Sequence, residues 1–323
     1  MINAPRILAM ALLATAVAAP PAAAQTDVTE RFSKTAHLDQ GGTFDLANIA
    51  GSIVVTGGSG RDVTIEAIKR VQRPNQNAAR ALLGMIDIEV VEQANRVEVR
   101  TMYPRPRNFP GSVDYTVSVP EDANVTIRTM SGDIRVTRIG GELRAQTITG
   151  NVVAGATRQL AMLRSVSGNI EITDAAAEDF AAAQTVNGNI TVRGLKARAI
   201  QLGVVSGNVH VENAQASRMT LKAVSGNVEY AGELTRNGQY EFTSHSGDIR
   251  LMLAGSTGFE LRASTFSGTV QSDFAVDRRG EETAGRRGQA AFSSGRAIRG
   301  AFGDASAMLA LRAFSGSISI TRR

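Results

Sequence analysis

Residues 205–211 read Val-Ser-Gly-Asn-Val-His-Val, and variants of this phrase recur along most of the chain. In most copies an apolar residue stands two positions before a glycine, a small polar residue directly before it, and Asn or Asp directly after it. The glycines of the first eight copies follow one another at intervals of 18–21 residues, and the ninth comes 48 residues later. These structural repeat glycines are Gly132, Gly150, Gly168, Gly188, Gly207, Gly226, Gly247, Gly268 and Gly316. Such a period indicates a fold that stacks one repeat on the next.

Apolar residues alternate with polar ones on both sides of each phrase. Met219, Leu221 and Ala223 precede one copy, while Val228 and Tyr230 follow it, and this period of two is typical of β-strands. A repeat this short cannot bury its own apolar face, but equivalent strands stacked in parallel about 4.8 Å apart would form a continuous core. We therefore predict an all-β parallel β-helix (β-solenoid) of about 18–21 residues per coil. Its handedness and cross-section stay open.

Each phrase is predicted to form a corner of the solenoid. Glycine can take the left-handed or bulged conformation that a corner needs, and Ser and Asn side chains can bond nearby backbone. The residues after the glycines could be a ligand-binding ladder, but we favour a structural column of side chains that pair between coils. This Asn/Asp column is Asp133, Asn151, Asn169, Asn189, Asn208, Asn227 and Asp248.

A second column consists of the apolar or aromatic residues two positions before each glycine. It is out of phase with the buried residues of the strand before it, so it either turns inward at a bulge or lies outside as an apolar stripe. We expect the inward arrangement, which would make His245 a core histidine. The column is Met130, Ile148, Val166, Val186, Val205, Val224, His245, Phe266 and Phe314.

The chain divides into three parts. Residues 1–24 are predicted to be a signal peptide, and residues 25–120 an N-terminal β segment with one short helix that caps the solenoid. Asn75 would begin this helix and Gly84 would end it. Residues 121–323 carry the solenoid repeats, with an Arg- and Gly-rich insertion at 277–300.

The first 24 residues predict export. Arg6 precedes an apolar run, and Ala22-Ala23-Ala24 offers a small-x-small cleavage site before Gln25. The run is too short for a transmembrane segment, which needs about 20 apolar residues. With 0 Cys the chain can form no disulfide, thiolate metal site or lipid-modified cysteine. We expect a periplasmic or secreted protein.

The charge balance indicates which partners to expect. The chain has 35 Lys and Arg against 30 Asp and Glu, a mixture that argues against a dedicated nucleic-acid binder. Arginines concentrate in the insertion, where they could bind an anionic envelope polymer or lipid headgroups, or merely belong to a solvated hairpin. The candidate ligand-binding residues are Arg278, Arg279, Arg286, Arg287, Arg296 and Arg299.

A polysaccharide-active enzyme, a lyase or a glycosidase, is the alternative from another functional class. The two carboxylates of a glycosidase lie within about 10 Å of each other. Asp133 and Asp248 are six coils apart, roughly 29 Å, and Glu171 and Glu229 three coils apart, roughly 14 Å. No shared repeat position therefore supplies such a pair, and the loop carboxylates stay open: Asp174, Glu178 and Asp179.

No cofactor, metal ion or catalytic residue is predicted. The chain has no nucleophile-elbow signature, and His37 and His210 have no evident partner in the sequence. A third alternative is a self-assembling filament, in which solenoids join end to end through exposed terminal strands. The strand at residues 318–320 would be such an open edge, but Arg322 and Arg323 beyond it are charged and charged edges usually discourage association. The oligomeric state stays open.

The repeats and several flanking phrases resemble a family of bacterial exported proteins of unknown function, the putative adhesins with Ser-Gly-Asp/Asn-Ile-x-Val repeats. The similar phrases lie at residues 66–70, 113–120, 272–274 and 300–304. Small departures replace the motif serine or the Asn/Asp: Thr149, Asn187, Thr269 and Ser317. The resemblance implies a β-helix in the cell envelope, a non-enzymatic adhesin or surface-binding scaffold. Its expected partners are an anionic polymer, a glycan or another surface protein.

Overall fold

The computed structural model describes residues 26–73, 75–104, 109–275 and 293–323. These residues form 25 β-strands and one α-helix, and the strands join in a single large sheet that wraps into a solenoid-like shape. The predicted all-β class with one short helix near the N-terminal end is confirmed. The predicted signal peptide lies outside the described residues.

The N-terminal part contains seven strands and the helix. In chain order they are β1 (Thr26–His37), β2 (Thr43–Ala47), β3 (Ile53–Gly58), β4 (Asp62–Arg73), α1 (Gln76–Leu83), β5 (Asp87–Gln93), β6 (Arg96–Met102) and β7 (Gly111–Pro120).

The repeat region contains the other eighteen strands. Its first nine are β8 (Asn124–Ser131), β9 (Ile134–Thr137), β10 (Glu142–Thr149), β11 (Val152–Gly155), β12 (Gln159–Ser167), β13 (Ile170–Ala176), β14 (Phe180–Asn187), β15 (Ile190–Ser206) and β16 (Val209–Ser225). Its last nine are β17 (Val228–Glu233), β18 (Gln239–Ser246), β19 (Ile249–Ala254), β20 (Phe259–Ser267), β21 (Val270–Ser272), β22 (Ser293–Gly295), β23 (Ala297–Phe302), β24 (Ala307–Ser315) and β25 (Ile318–Arg322).

Each repeat supplies one strand before its glycine and one after it, and both pair in parallel with their equivalents in adjoining repeats. Leu202 pairs with Leu221, and Leu221 with Phe242, so inward residues of successive coils stand in line. All three are buried, with Leu221 and Phe242 fully so. Aligned apolar columns of this kind form one continuous core along the stack.

The chain places its N-terminal coils out of sequence order. Strands β2 and β3 lie between β6–β7 on one side and β8–β9 on the other. Residues 49–53, Ile-Ala-Gly-Ser-Ile, are thus a further copy of the repeat phrase. Sequence reasoning missed this copy because Ala50 replaces the motif serine and the next copy follows only at Met130.

Antiparallel strands and the helix cover the N-terminal end of the stack. Strand β4 pairs with β7 and with β1, and β5 pairs with β6, in each case antiparallel. The Asn75 side chain accepts hydrogen bonds from the backbone N–H groups of Asn77 and Ala78, which begins α1. Ala79 and Leu83 are the buried residues of this helix.

The C-terminal end reverses the sequence order as well. Strands β24 and β25 lie between β18–β19 and β20–β21, so the last repeat of the chain is an inner coil. The outer coil, β20–β21, is covered by antiparallel β23 and β22. The expectation that residues 318–320 form an open terminal edge is therefore wrong, because Ile318 pairs with Ile249 on one side and Val270 on the other.

No helix in the described part of the chain combines the length and apolarity that a membrane span needs.

Candidate functional site

Ten glycines stack directly above one another at one corner of the coils. Their φ angles run from +115° to +153°, a region that side chains other than glycine rarely adopt. A Cβ atom on Gly207 would lie 2.1 Å from the carbonyl oxygen of Gly188 in the adjoining coil. The spatial order is Gly51, Gly132, Gly150, Gly168, Gly188, Gly207, Gly226, Gly247, Gly316 and Gly268.

The Asn/Asp column ties each coil to the next through the backbone. The Oδ1 atom of Asn189, for example, accepts a hydrogen bond of 2.8 Å from the backbone N–H of Asn208. The same contact repeats from Asp133 onward and continues past Asp248, whose Oδ1 accepts from the N–H of Ser317 at 2.9 Å. The side chains therefore bind mainly the neighbouring backbone, whereas we expected side-chain pairs; one such pair is present, in which the Asn151 amide donates to Asp133 at 3.2 Å.

A column of buried hydroxyl groups lies three positions before the glycines. Five of them donate a hydrogen bond of 2.8–3.2 Å to the glycine carbonyl of the adjoining coil: Thr147, Ser165, Thr185, Ser244 and Thr265. The hydroxyl of Thr129, at the same position of the first copy, has no partner among the described residues. Sequence reasoning missed this column because Thr is an ordinary strand residue, and because Val204, Ala223 and Ala313 interrupt the pattern. An alignment of the nine copies position by position could have found it.

The residues two positions before the glycines face solvent, so the expected inward arrangement is wrong. The strand alternation simply continues: Ala223 is buried, Val224 is 50% exposed, and the next inward residue is Val228. The chain turns over the residues between Val224 and Val228, which makes the corner convex. Val166 and Val186 are half-buried, and the other members of the column are exposed. We call this column the apolar stripe: Ile49, Met130, Ile148, Val166, Val186, Val205, Val224, His245, Phe314 and Phe266.

Three aromatic rings form a continuous stack at the C-terminal end of the apolar stripe. The ring of Phe314 lies 4.7 Å from that of His245 and 4.9 Å from that of Phe266, with interplanar angles of 9° and 3°. The stack exists because the last coil is inserted between the two others. His245 is thus an exposed stacked ring, and Phe266 is 70% exposed.

A row of cations runs beside the apolar stripe on the same sheet face. All charged members of the column two positions before the stripe are basic, and we call them the basic row: Arg128, Arg164, Lys222 and Arg312. Arg128 lies 3.5 Å from the buried carboxylate of Asp45. Within the described residues the other three form no ion pair.

A sequence model described as Toastrack DUF4097 matches residues 84–296, well over half of the chain. This chain belongs to the Toastrack DUF4097 family. The match includes most of the stacked glycine corners and eight of the ten stripe residues, all but Ile49 and Phe314.

Solved structures similar to this Toastrack chain include three bacterial proteins. A putative adhesin from Bacteroides fragilis is 14% identical, with a TM-score of 0.42, and the match covers 90% of this chain and 96% of that one. A putative adhesin from Parabacteroides distasonis is 12% identical, with a TM-score of 0.40 and coverages of 69% and 90%. A putative lipid binding protein from the same organism is 9% identical, with a TM-score of 0.30 and coverages of 69% and 92%. No curated protein matches the chain.

Two of the six candidate arginines of this Toastrack chain lie in its described part. The backbone carbonyl of Arg296 accepts a hydrogen bond from Thr265, which brings it beside the outermost corner. Arg299 lies opposite Arg262 and lines, with Arg312, an open groove of about 800 Å³. The other four lie outside the described residues: Arg278, Arg279, Arg286 and Arg287.

Several of the candidate carboxylates are held in ion pairs. Glu171 lies 3.1 Å from Arg193, and Glu229 lies 3.0 Å from Arg250. Asp179 lies 2.6 Å from Arg198, whereas Asp174 and Glu178 form no ion pair with a residue that the structure describes. In the described part of the chain no three His, Asp or Glu side chains are placed to hold a metal ion.

Two histidines have carboxylate partners that sequence reasoning missed. His210 lies 3.2 Å from both Glu212 and Glu229. The Nδ1 atom of His37 lies 3.0 Å from Asp62, and this hydrogen bond, with help from Asp39, raises the pKa of His37 above its usual value. Glu229 and Asp62 lie on adjoining strands, so only the register could have identified them, whereas Glu212 and Asp39 lie two residues from their histidines and could have been noticed in the sequence.

Proposed function

We propose that this chain is a non-enzymatic exported protein of the bacterial cell envelope, an adhesin-like scaffold that binds through an extended surface. The apolar stripe is the observation that carries the proposal. It places ten side chains in line on a convex edge, and soluble proteins seldom expose a contiguous apolar surface of this extent without a partner.

We further infer that the stacked coils form a parallel β-helix. Two ladders of parallel strand pairs, one before and one after the glycines, support this description. Hydrogen bonds at the corners, from the Asn/Asp column and the buried hydroxyl groups, join each coil to its neighbours. A rigid stack suits a binding edge because its side chains need no ordering when a partner arrives.

The shape of the binding edge and the pairing of the candidate carboxylates argue against an enzyme that turns over a substrate. A convex edge cannot enclose a substrate, and enclosure is what strengthens electrostatic interactions in an active site. Glu171 and Glu229 each lie in an ion pair with an arginine on the outer face of the sheet, three coils apart, so they cannot act on one glycosidic bond together.

Export and cleavage near Ala24–Gln25 are part of the proposal, with a periplasmic or secreted product. N-terminal sequencing of the protein recovered from the periplasm or medium should begin at or near Gln25. An intact Met1 on the recovered protein would contradict export.

The proposed partners are an anionic envelope polymer, a glycan or another surface protein, and the six arginines of the insertion would bind anionic groups by paired hydrogen bonds. The test applies the purified exported chain to arrays of glycans, peptidoglycan fragments and lipids. Retention without change in the size of the retained polymer supports the proposal. Steady release of shortened glycans would overturn it.

A further inference from the structure

We infer that the apolar stripe and the basic row together form an edge that docks on the surface of an anionic lipid bilayer, with the axis of the stack along the membrane. This inference rests on the proposed function and names the surface that the binding edge meets. Three properties of the edge lead to it: its shape, the chemistry of its side chains and the sign of its charge.

The shape fits a flat, deformable partner. Ten corners at a coil spacing of about 4.8 Å give a straight edge roughly 43 Å long. On either side of Val224 the nearest inward residues are Ala223 and Val228, so the stripe lies on the crest of the corner. A crest cannot surround a small molecule, but it can enter the boundary between lipid headgroups and acyl chains along its whole length.

The chemistry of the stripe fits acyl chains better than sugar rings. Most of its members carry no hydrogen-bonding group: Ile49, Met130, Ile148, Val166, Val186, Val205, Val224, Phe266 and Phe314. A sugar stacks on the face of an aromatic ring, and the central ring of the aromatic stack has no free face. Both faces of Phe314 are occupied, by His245 and Phe266, so this ring turns only its apolar rim outward.

The charge beside the stripe has the sign that an anionic surface attracts. Arg164, Lys222 and Arg312 are exposed and form no ion pair in the described part of the chain. Their long side chains can reach headgroups while the stripe contacts the acyl boundary. The Asn/Asp column lies on the other side of the stripe from the basic row, and its carboxylates, Asp133 and Asp248, are engaged in hydrogen bonds from the backbone of the next coil. Each exposed cation near an anionic membrane strengthens binding about fivefold.

The first experiment measures co-sedimentation of the purified exported chain with vesicles. Vesicles of phosphatidylglycerol and phosphatidylcholine in equal parts should bind the protein at least tenfold more tightly than phosphatidylcholine alone. The stripe variant V205S/V224S/F314S should lose at least tenfold in binding to the anionic vesicles. Its control replaces three exposed apolar residues off the stripe, I68S/M85S/M252S, and should bind like the wild type.

A second pair of variants tests the charge. R164E/K222E/R312E should abolish the preference for phosphatidylglycerol, because it reverses the basic row. The control R31E/R61E/R236E makes the same change in net charge at exposed arginines away from the stripe, and it should keep most of the preference. Equal losses in both variants would show that only net charge matters, and this would overturn the assignment of the edge.

A tryptophan reporter locates the contact. The chain contains 0 Trp, so V224W carries a single fluorophore on the stripe and M252W one away from it. Anionic vesicles should shift the V224W emission to shorter wavelength, and brominated acyl chains should quench it, while M252W stays unchanged. This readout keeps the test valid even if the triple variants fold poorly.

Failure of this inference is distinguishable from failure of the proposed function. Retention on peptidoglycan or glycans together with no binding to vesicles would leave the scaffold proposal intact and overturn the membrane edge. A wild-type dimer that the stripe variant abolishes, without vesicle binding, would assign the stripe to a second copy and overturn the inference too. Vesicle binding with an unshifted V224W would place the contact elsewhere.

Discussion

Replacing Gly207 with Ala puts a methyl group where the adjoining coil leaves no room for it. The φ angle of Gly207 is +138°, and its Cβ would lie 2.1 Å from the carbonyl oxygen of Gly188 and 2.7 Å from the carbonyl carbon. Both neighbours are backbone atoms, so no side-chain rotation relieves the contact. The two coils must separate by about 1 Å at this corner before ordinary contact distances return.

The cost has two parts. A residue other than glycine in this region of backbone conformation costs roughly 1–3 kcal/mol. Separation of the coils also stretches the hydrogen bonds from the Gly188 N–H to Ser206, 3.0 Å, and from the Ile190 N–H to Asn208, 2.9 Å. Two such bonds contribute about 1 kcal/mol each. The expected loss in the free energy of unfolding is therefore about 3–5 kcal/mol.

Gly203 in the same coil is the matched control. Its φ lies outside the left-handed region, and the nearest atom to an added Cβ is the Cγ of Gln184 at 4.0 Å. Gly203→Ala should be neutral or stabilising by about 0.5 kcal/mol, since it reduces the freedom of the unfolded chain. Urea unfolding followed by circular dichroism compares the two variants. A difference below about 1 kcal/mol between them would refute the steric argument.

Three further predictions follow from the corner and from the exposed ion pairs. Asn189→Ala should cost about 0.5–1 kcal/mol in urea unfolding because one backbone N–H loses its acceptor, while Asn189→Asp keeps that acceptor and should stay close to wild type; equal losses would contradict the ladder. Thr185→Val should lower the free energy of unfolding by roughly 1–3 kcal/mol, because the Gly168 carbonyl loses its buried donor. Ala223→Ser should raise the free energy of unfolding by up to about 1 kcal/mol, because it adds a hydroxyl donor at the same position of another coil. Melts unchanged in both variants would exclude a stabilising role for the hydroxyl column. His37 should titrate by NMR with a pKa above 6.5, and this pKa should fall in Asp62→Asn. Because folding raises the pKa, the stability that the pairing contributes is complete below pH 6.5 and disappears as the pH rises through the folded-state pKa. A His37 that titrates at its usual pKa would contradict the pairing.

The repeat period and the strand alternation were enough to predict the stacked coils, since both follow from short-range pattern. The order of the coils was not predictable in this way. Phe266 and Phe314 belong to consecutive copies of the phrase, yet the coil of Phe314 lies inside that of Phe266. Which strand pairs with which depends on contacts between residues far apart in the chain. The two phrases are nearly the same, so they carry no signal that tells the sequential order of the coils from the inserted order.

The apolar stripe shows a different limit. Its phase already placed Val224 on the outer face, but we expected a bulge to turn it inward because buried corners commonly carry one. In the structure the strand alternation continues without a bulge, so Val224 faces solvent. An apolar residue that repeats out of phase with the core is better interpreted as a surface feature, and here that interpretation leads to the candidate site. The arginines at 278–287 lie outside the described residues, and their role stays a prediction.

The inserted last coil has a consequence for the order in which the chain assembles. Synthesis proceeds from the N-terminus, so β20 and β21 exist before the strands that will separate them from β18 and β19. The outer coil has no parallel neighbour until β24 and β25 arrive, because within the described strands it pairs in parallel with these two alone. A chain without residues 307–323 would lack the inner coil that joins β20–β21, with the covering strands β22 and β23, to the rest of the stack. Completion of the stack waits for β24 and β25, so the chain must be intact through these strands before that end can close.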